Sequence, residues 1–239
     1  MTMNEVAVIV VVTFAGLIRG ITGFGGAMLM APPLSLLIGP VPTVVIALFL
    51  ETSAALVMFP DALRKINKRV LFYLILPACF TVPIGGYFLV TLDPLIARKI
   101  ISGVVVVFSL MLLSGLRYSG PHRPSTSLLL GSVVGVLLGA TSVGAPPVIL
   151  YLLSGPDPQA VTRANLTVFV TAISAIGLMM LLAAGAFTKQ LTVSAFLLCI
   201  PYLAATWLGG TLFARMSDLG VRRLALGFMF TMGVAGLLV

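Results

Sequence analysis

The chain has 239 residues, 60% of them hydrophobic, and its 14 Lys and Arg against 6 Asp and Glu give a net charge of +8. Only 8% of the residues are charged, whereas a soluble domain carries about 25%. A water-facing surface is therefore excluded, and an integral membrane protein is indicated. The positive excess is typical of cytoplasmic loops, and without a basic face interleaved with aromatic residues we expect no nucleic-acid partner.

The first half of the chain, residues 1–116, opens with an apolar stretch at 6–38 that glycines interrupt at 19–26. Glycine at this density breaks a helix and leaves arms of about 9–14 residues, about half the thickness of a bilayer. We therefore predict a re-entrant hairpin of two half-helices. Because Glu5 precedes this stretch in place of Lys or Arg, we expect no cleaved signal peptide. Three membrane-length runs follow, at 43–60, 70–91 and 99–116.

A polar linker at 117–126 leads into the second half, residues 127–239. Its first apolar stretch, 128–154, is interrupted at 139–147 by glycines and two prolines, and this again predicts a re-entrant hairpin. Three more membrane-length runs complete the chain, at 161–184, 191–214 and 222–239.

The two halves match each other, which indicates an internal repeat of the kind found in many secondary transporters. With three spans per half, 10 Lys and Arg fall on one side of the membrane and 3 on the other, leaving Arg19 aside. The alternative of eight transmembrane helices, four per half, divides them 7 against 6. The positive-inside rule therefore favours two inverted repeats of three spans each. The matching positions include Gly16-x3-Gly20-x4-Gly25 with Gly135-x3-Gly139-x4-Gly144, Pro77 with Pro201, Gly85-Gly86 with Gly209-Gly210, and Arg98-Lys99 with Arg222-Arg223.

Each predicted break starts a half-helix inside the membrane, near Gly26 and near Pro146. Free N–H groups and partial positive charge at a helix start attract anions, and inverted symmetry would bring both starts together near the midplane. A binding site for a small anion is therefore predicted, although glycines that only allow close helix packing are the alternative, favoured for the Gly-x3-Gly pairs. The candidate site residues are Thr22, Gly23, Phe24, Gly25 and Gly26 at the first break, and Thr141, Ser142, Val143, Gly144, Ala145 and Pro146 at the second.

Three further polar residues lie in apolar surroundings. Arg19 is costly inside a membrane, and its guanidinium suits oxyanions; a structural ion pair or snorkelling to the interface is the alternative. Glu51 lies mid-span and is expected either to pair with Arg19 or to take up a proton in transport coupling. Asn165 is a candidate amide donor to the substrate, with an interhelical or interfacial role as the favoured alternative.

Enzyme and metal chemistry find no support in the sequence. Zinc-protease, serine-hydrolase and Walker motifs are absent, so we expect neither catalysis nor a cofactor. The two cysteines, Cys79 and Cys199, lie inside apolar runs without other metal-ligating residues beside them, so we expect neither a disulfide nor a metal site.

The segment at 16–26, Gly-Leu-Ile-Arg-Gly-Ile-Thr-Gly-Phe-Gly-Gly, and its counterpart at 139–147, Gly-Ala-Thr-Ser-Val-Gly-Ala-Pro-Pro, resemble the sulfite exporter TauE/SafE family of bacterial membrane permeases. The resemblance covers essentially the whole chain. It implies transport, often export, of sulfite or small organic sulfonates across the bacterial plasma membrane. It also implies that the site backbone includes Gly23, Gly25 and Gly26 and, by symmetry, Ser142, Gly144 and Ala145. The two half-sites are expected to differ, because Ala145-Pro146 stands where the first motif has Gly26-Ala27.

The sequence therefore predicts an all-α integral membrane protein that carries a small anion by alternating access, one repeat moving against the other in the lipid bilayer. An anion channel and a permease for a small carboxylate without sulfur are the alternatives. A membrane-embedded enzyme or assembly factor is a further alternative, but no pattern of catalytic residues in the sequence supports it. The oligomeric state stays open, with a homodimer among the options.

Overall fold

The structure, a computed structural model, describes residues 3–22, 25–115, 118, 123–155, 157–213 and 218–238. The regular elements of these residues are ten α-helices, without a strand. The prediction of an all-α protein is confirmed. The helices are α1 (Met3–Thr22), α2 (Gly26–Ile38), α3 (Pro40–Leu63), α4 (Lys68–Thr91), α5 (Pro94–Leu113), α6 (Pro124–Thr141), α7 (Ala145–Leu153), α8 (Gln159–Ala183), α9 (Lys189–Phe213) and α10 (Asp218–Leu238).

Five of the described helices, α4, α5, α6, α8 and α9, are long and apolar enough to cross a membrane. Large apolar side chains also cover the outside of the molecule: Phe80 is 71% exposed, Ile200 70% and Trp207 69%. An apolar surface of this extent, on helices of this length, is suited to the hydrocarbon core of a membrane. The chain is a multi-pass membrane protein.

The helices that lead into the two breaks are longer than predicted, and the expected arm length of about 9–14 residues is wrong for them. α1 has 20 residues and α6 has 18, whereas α2 with 13 and α7 with 9 agree. Glycines inside α1 and α6 do not end these helices, because they pack bare backbone against a neighbour. A Cβ atom built on Gly20 would lie 2.9 Å from the Cα atom of Gly209, and one on Gly139 would lie 2.9 Å from the nitrogen of Gly86.

The most extensive helix packing joins the two halves of the chain. α1 packs against α9, α4 against α6, α3 against α8 and α5 against α10. Each of these pairs combines a helix before the 117–126 linker with a helix after it. The hydrophobic core is therefore shared between the halves.

A side chain at Gly139 is expected to push α6 away from α4. Its Cβ atom would lie 2.9 Å from the backbone nitrogen of Gly86 and closer still to the carbonyl oxygen of Val82. Because both neighbours are backbone atoms of a packed helix, we expect Gly139→Ala to lower the free energy of unfolding by about 1–3 kcal/mol. The midpoint of thermal unfolding in detergent measures the loss.

The matched control is Gly227→Ala in α10. No described atom lies within 4 Å of a Cβ atom at Gly227, so this change should leave the midpoint unchanged or raise it slightly, because alanine favours a helix more than glycine does. Equal midpoints for the Gly139 and Gly227 variants would contradict the packing role of Gly139.

Candidate functional site

The first break brings the start of α2 beside the end of α1. Gly25 precedes α2 with a φ of 88°, a left-handed conformation that favours glycine. A Cβ atom on the buried Gly26 would lie 3.3 Å from the Cβ atom of Arg19 and 2.6 Å from Oε1 of Glu51. The glycines therefore let the α2 backbone approach a carboxylate closely.

That carboxylate, on Glu51 in the middle of α3, is the centre of a buried polar cluster and is 5% exposed. Its Oε2 atom forms an ion pair with Nη1 of Arg19. Its Oε1 atom accepts hydrogen bonds from the backbone N–H of Ala27, at 3.0 Å, and from the hydroxyl of Tyr202, at 2.9 Å. Three donors from α1, α2 and α9 thus surround one anionic group at a helix start, where partial positive charge stabilises it further.

Tyr202 is the member of this cluster that the sequence analysis missed. Its side chain is fully buried in α9, 151 residues away from Glu51 in the sequence. The internal repeat held the only signal: Pro77 matches Pro201, so Ala78 stands where the second half has Tyr202. A hydroxyl that is present at this position in only one of the two halves, inside a membrane-length apolar segment, indicates a candidate functional residue.

The second break is closed by local hydrogen bonds. Ser142 adopts a left-handed φ of 59°, and the Val143 N–H donates to Oγ1 of Thr141 at 3.1 Å. The Thr141 hydroxyl itself donates to the carbonyl oxygen of Leu137 at 2.6 Å. α7 then begins at Ala145, with proline in its first turn, where a missing N–H is harmless.

The two breaks differ in charge as well as in glycine content. By the repeat offset, Leu138 stands where the first half has Arg19, and Ala145 stands where it has Gly26. The expected asymmetry of the half-sites stays a prediction. The charged cluster belongs to the first break.

The structure brings Arg19, Gly26 and Glu51 together, but it leaves other candidates apart. The helices flanking the second break pack mainly on α4 and α8, so the meeting of the two half-helix starts stays a prediction. Gly23, Phe24 and the side chain of Thr22 lie outside the described residues.

Asn165 lies at the end of the α3–α8 pair, away from the cluster. Its side-chain oxygen accepts a hydrogen bond of 2.8 Å from the backbone N–H of Asn67, the residue that caps α4. Glu51 lies 12 residues before the end of α3 at Leu63, which is about 18 Å along the helix. These contacts agree with the interfacial role that the sequence favoured for Asn165, and a substrate contact stays a prediction.

The cluster at Glu51 is tightly packed in this conformation. Two apolar cavities, of about 440 Å³ and 370 Å³, open elsewhere between the helices, and neither is lined by Arg19, Glu51 or Tyr202. In the part of the chain that the structure describes, no group of three or more His, Cys, Asp or Glu side chains could hold a metal ion.

Charged side chains buried inside an apolar helical fold often mark functional sites of membrane proteins, substrate pathways among them. The family model described as "Sulfite exporter TauE/SafE" matches residues 8–236. The chain belongs to this family of membrane transporters, as the resemblance of its two glycine motifs implied. No curated protein and no solved structure matches the chain significantly.

Proposed function

We propose that the protein is a secondary transporter of the bacterial plasma membrane that exports a small anion, sulfite or a small organic sulfonate. Membership of the sulfite exporter family supports the substrate class. The single observation that carries the site is the carboxylate of Glu51, held by Arg19, the Ala27 N–H and the Tyr202 hydroxyl. Sulfite and sulfonate oxygens accept hydrogen bonds from the same kinds of donor.

Two inverted repeats, each a re-entrant hairpin plus three spans, remain the proposed architecture, at 1–116 and 127–239. The directions of matching helices support it. Leu48 lies 3.0 Å from a Cβ atom built on Gly177, and Asn67, which follows α3, bonds to Asn165 near the start of α8. α3 and α8 are therefore antiparallel, as three spans per half require; four spans per half would make them parallel.

The pair formed by α5 and α10 gives independent support. A Cβ atom on Gly233 would lie 2.8 Å from Val106, and one on Gly236 would lie 3.2 Å from the Cβ atom of Ser102. The numbers rise along α5 as they fall along α10, so these equivalent helices are antiparallel too. Helix length alone favours the alternative of eight spans, because α6 is long enough to cross the membrane. We give more weight to the antiparallel directions of the matching helices.

One side of the molecule carries contacts that fit the same arrangement. The Asn67 amide donates to both carboxylate oxygens of Asp157, at 3.2 Å and 3.0 Å. The loops after α3 and after α7 therefore lie on one side, where inverted repeats put them, whereas eight spans would separate them by the membrane. Alternating access would follow from motion of one repeat against the other.

A panel of anions tests the proposed substrate class. We expect the purified protein to bind sulfite or a small sulfonate, and to bind sulfate and carboxylates of similar size more weakly. Isothermal titration in detergent measures the affinities. Failure of every sulfur anion would contradict the substrate class, and the inability of a proton gradient to drive uphill transport in proteoliposomes would favour a channel.

A further inference from the structure

The donors at the first break are already occupied by an anion that belongs to the chain. Arg19 pairs with one oxygen of Glu51, while the Ala27 N–H and the Tyr202 hydroxyl donate to the other. A guanidinium, a first-turn N–H and a hydroxyl are the donors that would bind the oxygens of a small oxyanion. A substrate that uses these donors must displace the carboxylate.

We propose that Glu51 is a tethered competitor of the transported anion, and that uptake of one proton by Glu51 accompanies the binding of each monovalent anion. The inference rests on the proposed function, in which Arg19 holds the substrate. When no substrate is bound, the Glu51 carboxylate accepts the hydrogen bonds of the site. The bound state then contains the substrate anion, Arg19 and a neutral Glu51.

Net charge decides which combinations of groups can exist at this depth. Arg19 with the Glu51 carboxylate sums to zero, and so does Arg19 with protonated Glu51 and a monovalent anion. Arg19 beside protonated Glu51 alone carries +1, and Arg19 with the carboxylate and a substrate anion carries −1. An uncompensated charge buried in a membrane is strongly disfavoured, so the two neutral states dominate and Glu51 takes up a proton when the anion binds.

The other charged groups lie near the ends of their helices, too far from Glu51 to compensate a charge at this site. Among the helices packed against Glu51, α2 contributes backbone only, α1 contributes Arg19, and α9 contributes Tyr202 with Cys199 one turn before it. The remaining cations on neighbouring helices all lie within the first six residues of their helix, whereas Glu51 is the twelfth residue of α3. They are Lys68 and Arg69 in α4, Arg98 and Lys99 in α5, Arg163 in α8, Lys189 in α9, and Arg222 and Arg223 in α10.

Glu51→Gln is the decisive variant, because glutamine keeps an oxygen for the Ala27 N–H and the Tyr202 hydroxyl but cannot carry the charge. Methanesulfonate is the probe, since it stays an anion over the whole accessible pH range. For the wild-type protein we expect affinity to rise as the pH falls. For Glu51→Gln we expect affinity that does not change with pH and is about tenfold or more tighter at neutral pH.

The matched control is Glu5→Gln, the other glutamate of the chain, which should keep the wild-type pH profile. A second measurement needs no variant: binding to the wild-type protein in weak buffer should take up about one proton per anion, and binding to Glu51→Gln none. Retention of the wild-type pH profile and proton uptake by Glu51→Gln would overturn the competitor role while leaving the proposed substrate intact. If neither protein bound sulfite or any sulfonate, the proposed function would fall as well.

Discussion

Arg19→Ala is expected to abolish the binding of sulfite and sulfonates, because it removes the only cation in the described cluster at the first break. The change also leaves the buried carboxylate of Glu51 without its ion-pair partner. Breaking a buried pair from one side costs about 3–5 kcal/mol, so the single variant is expected to unfold at a clearly lower temperature. Thermal unfolding and anion titration in detergent report the two effects separately.

The double variant Arg19→Ala/Glu51→Gln separates loss of binding from loss of folding. With both charges removed, most of the stability should return, while anion binding should remain absent. Arg64→Ala, on the exposed end of α3, is the control for removal of one positive charge and should bind normally. A folded double variant that binds sulfonate with wild-type affinity would show that Arg19 does not hold the substrate.

Gly26→Ala is expected to weaken anion binding by about tenfold to a hundredfold, although it adds only one methyl group. The new Cβ atom would lie 2.6 Å from Oε1 of Glu51 and closer still to the Tyr202 hydroxyl. Overpacking of this kind costs about 1–3 kcal/mol, and here the displaced atoms are the polar groups of the site itself. Titration with methanesulfonate, with the unfolding midpoint measured in parallel, checks the expectation.

The same substitution at Gly227 serves as the control for Gly26→Ala, since no described atom lies within 4 Å of a Cβ atom there. We expect its affinity to match that of the wild-type protein. An unchanged affinity in Gly26→Ala would mean that the start of α2 lies outside the binding site.

Much of the fold follows from local sequence features. Sparse charge and long apolar runs predict a helical membrane protein, and glycine density predicts the breaks. α2 begins at Gly26 as expected, and α7 begins at Ala145, one residue before the expected Pro146. These features are local because a helix start depends on the few residues around it.

The lengths of α1 and α6 and the role of Tyr202 could not be predicted in the same way. Glycine costs a helix about 1 kcal/mol where its backbone meets water, but Gly20 and Gly139 meet other helices, and only the tertiary structure reveals which. Tyr202 reaches Glu51 across 151 residues of sequence. Without knowledge of the α1–α9 packing, a phenol inside an apolar run looks like any other core residue.

The pairing of helices between the halves has a consequence for how the protein is made. The chain leaves the ribosome from its N-terminus, so α1 enters the bilayer long before α9. In the folded protein, Gly20 of α1 packs against Gly209 of α9. Arg19 and Glu51 meet within the first half, but the hydroxyl that completes their cluster arrives only with Tyr202. A nascent chain that stops before α9 therefore lacks the Tyr202 hydroxyl, and the cluster around Glu51 is complete only after α9 has been synthesised.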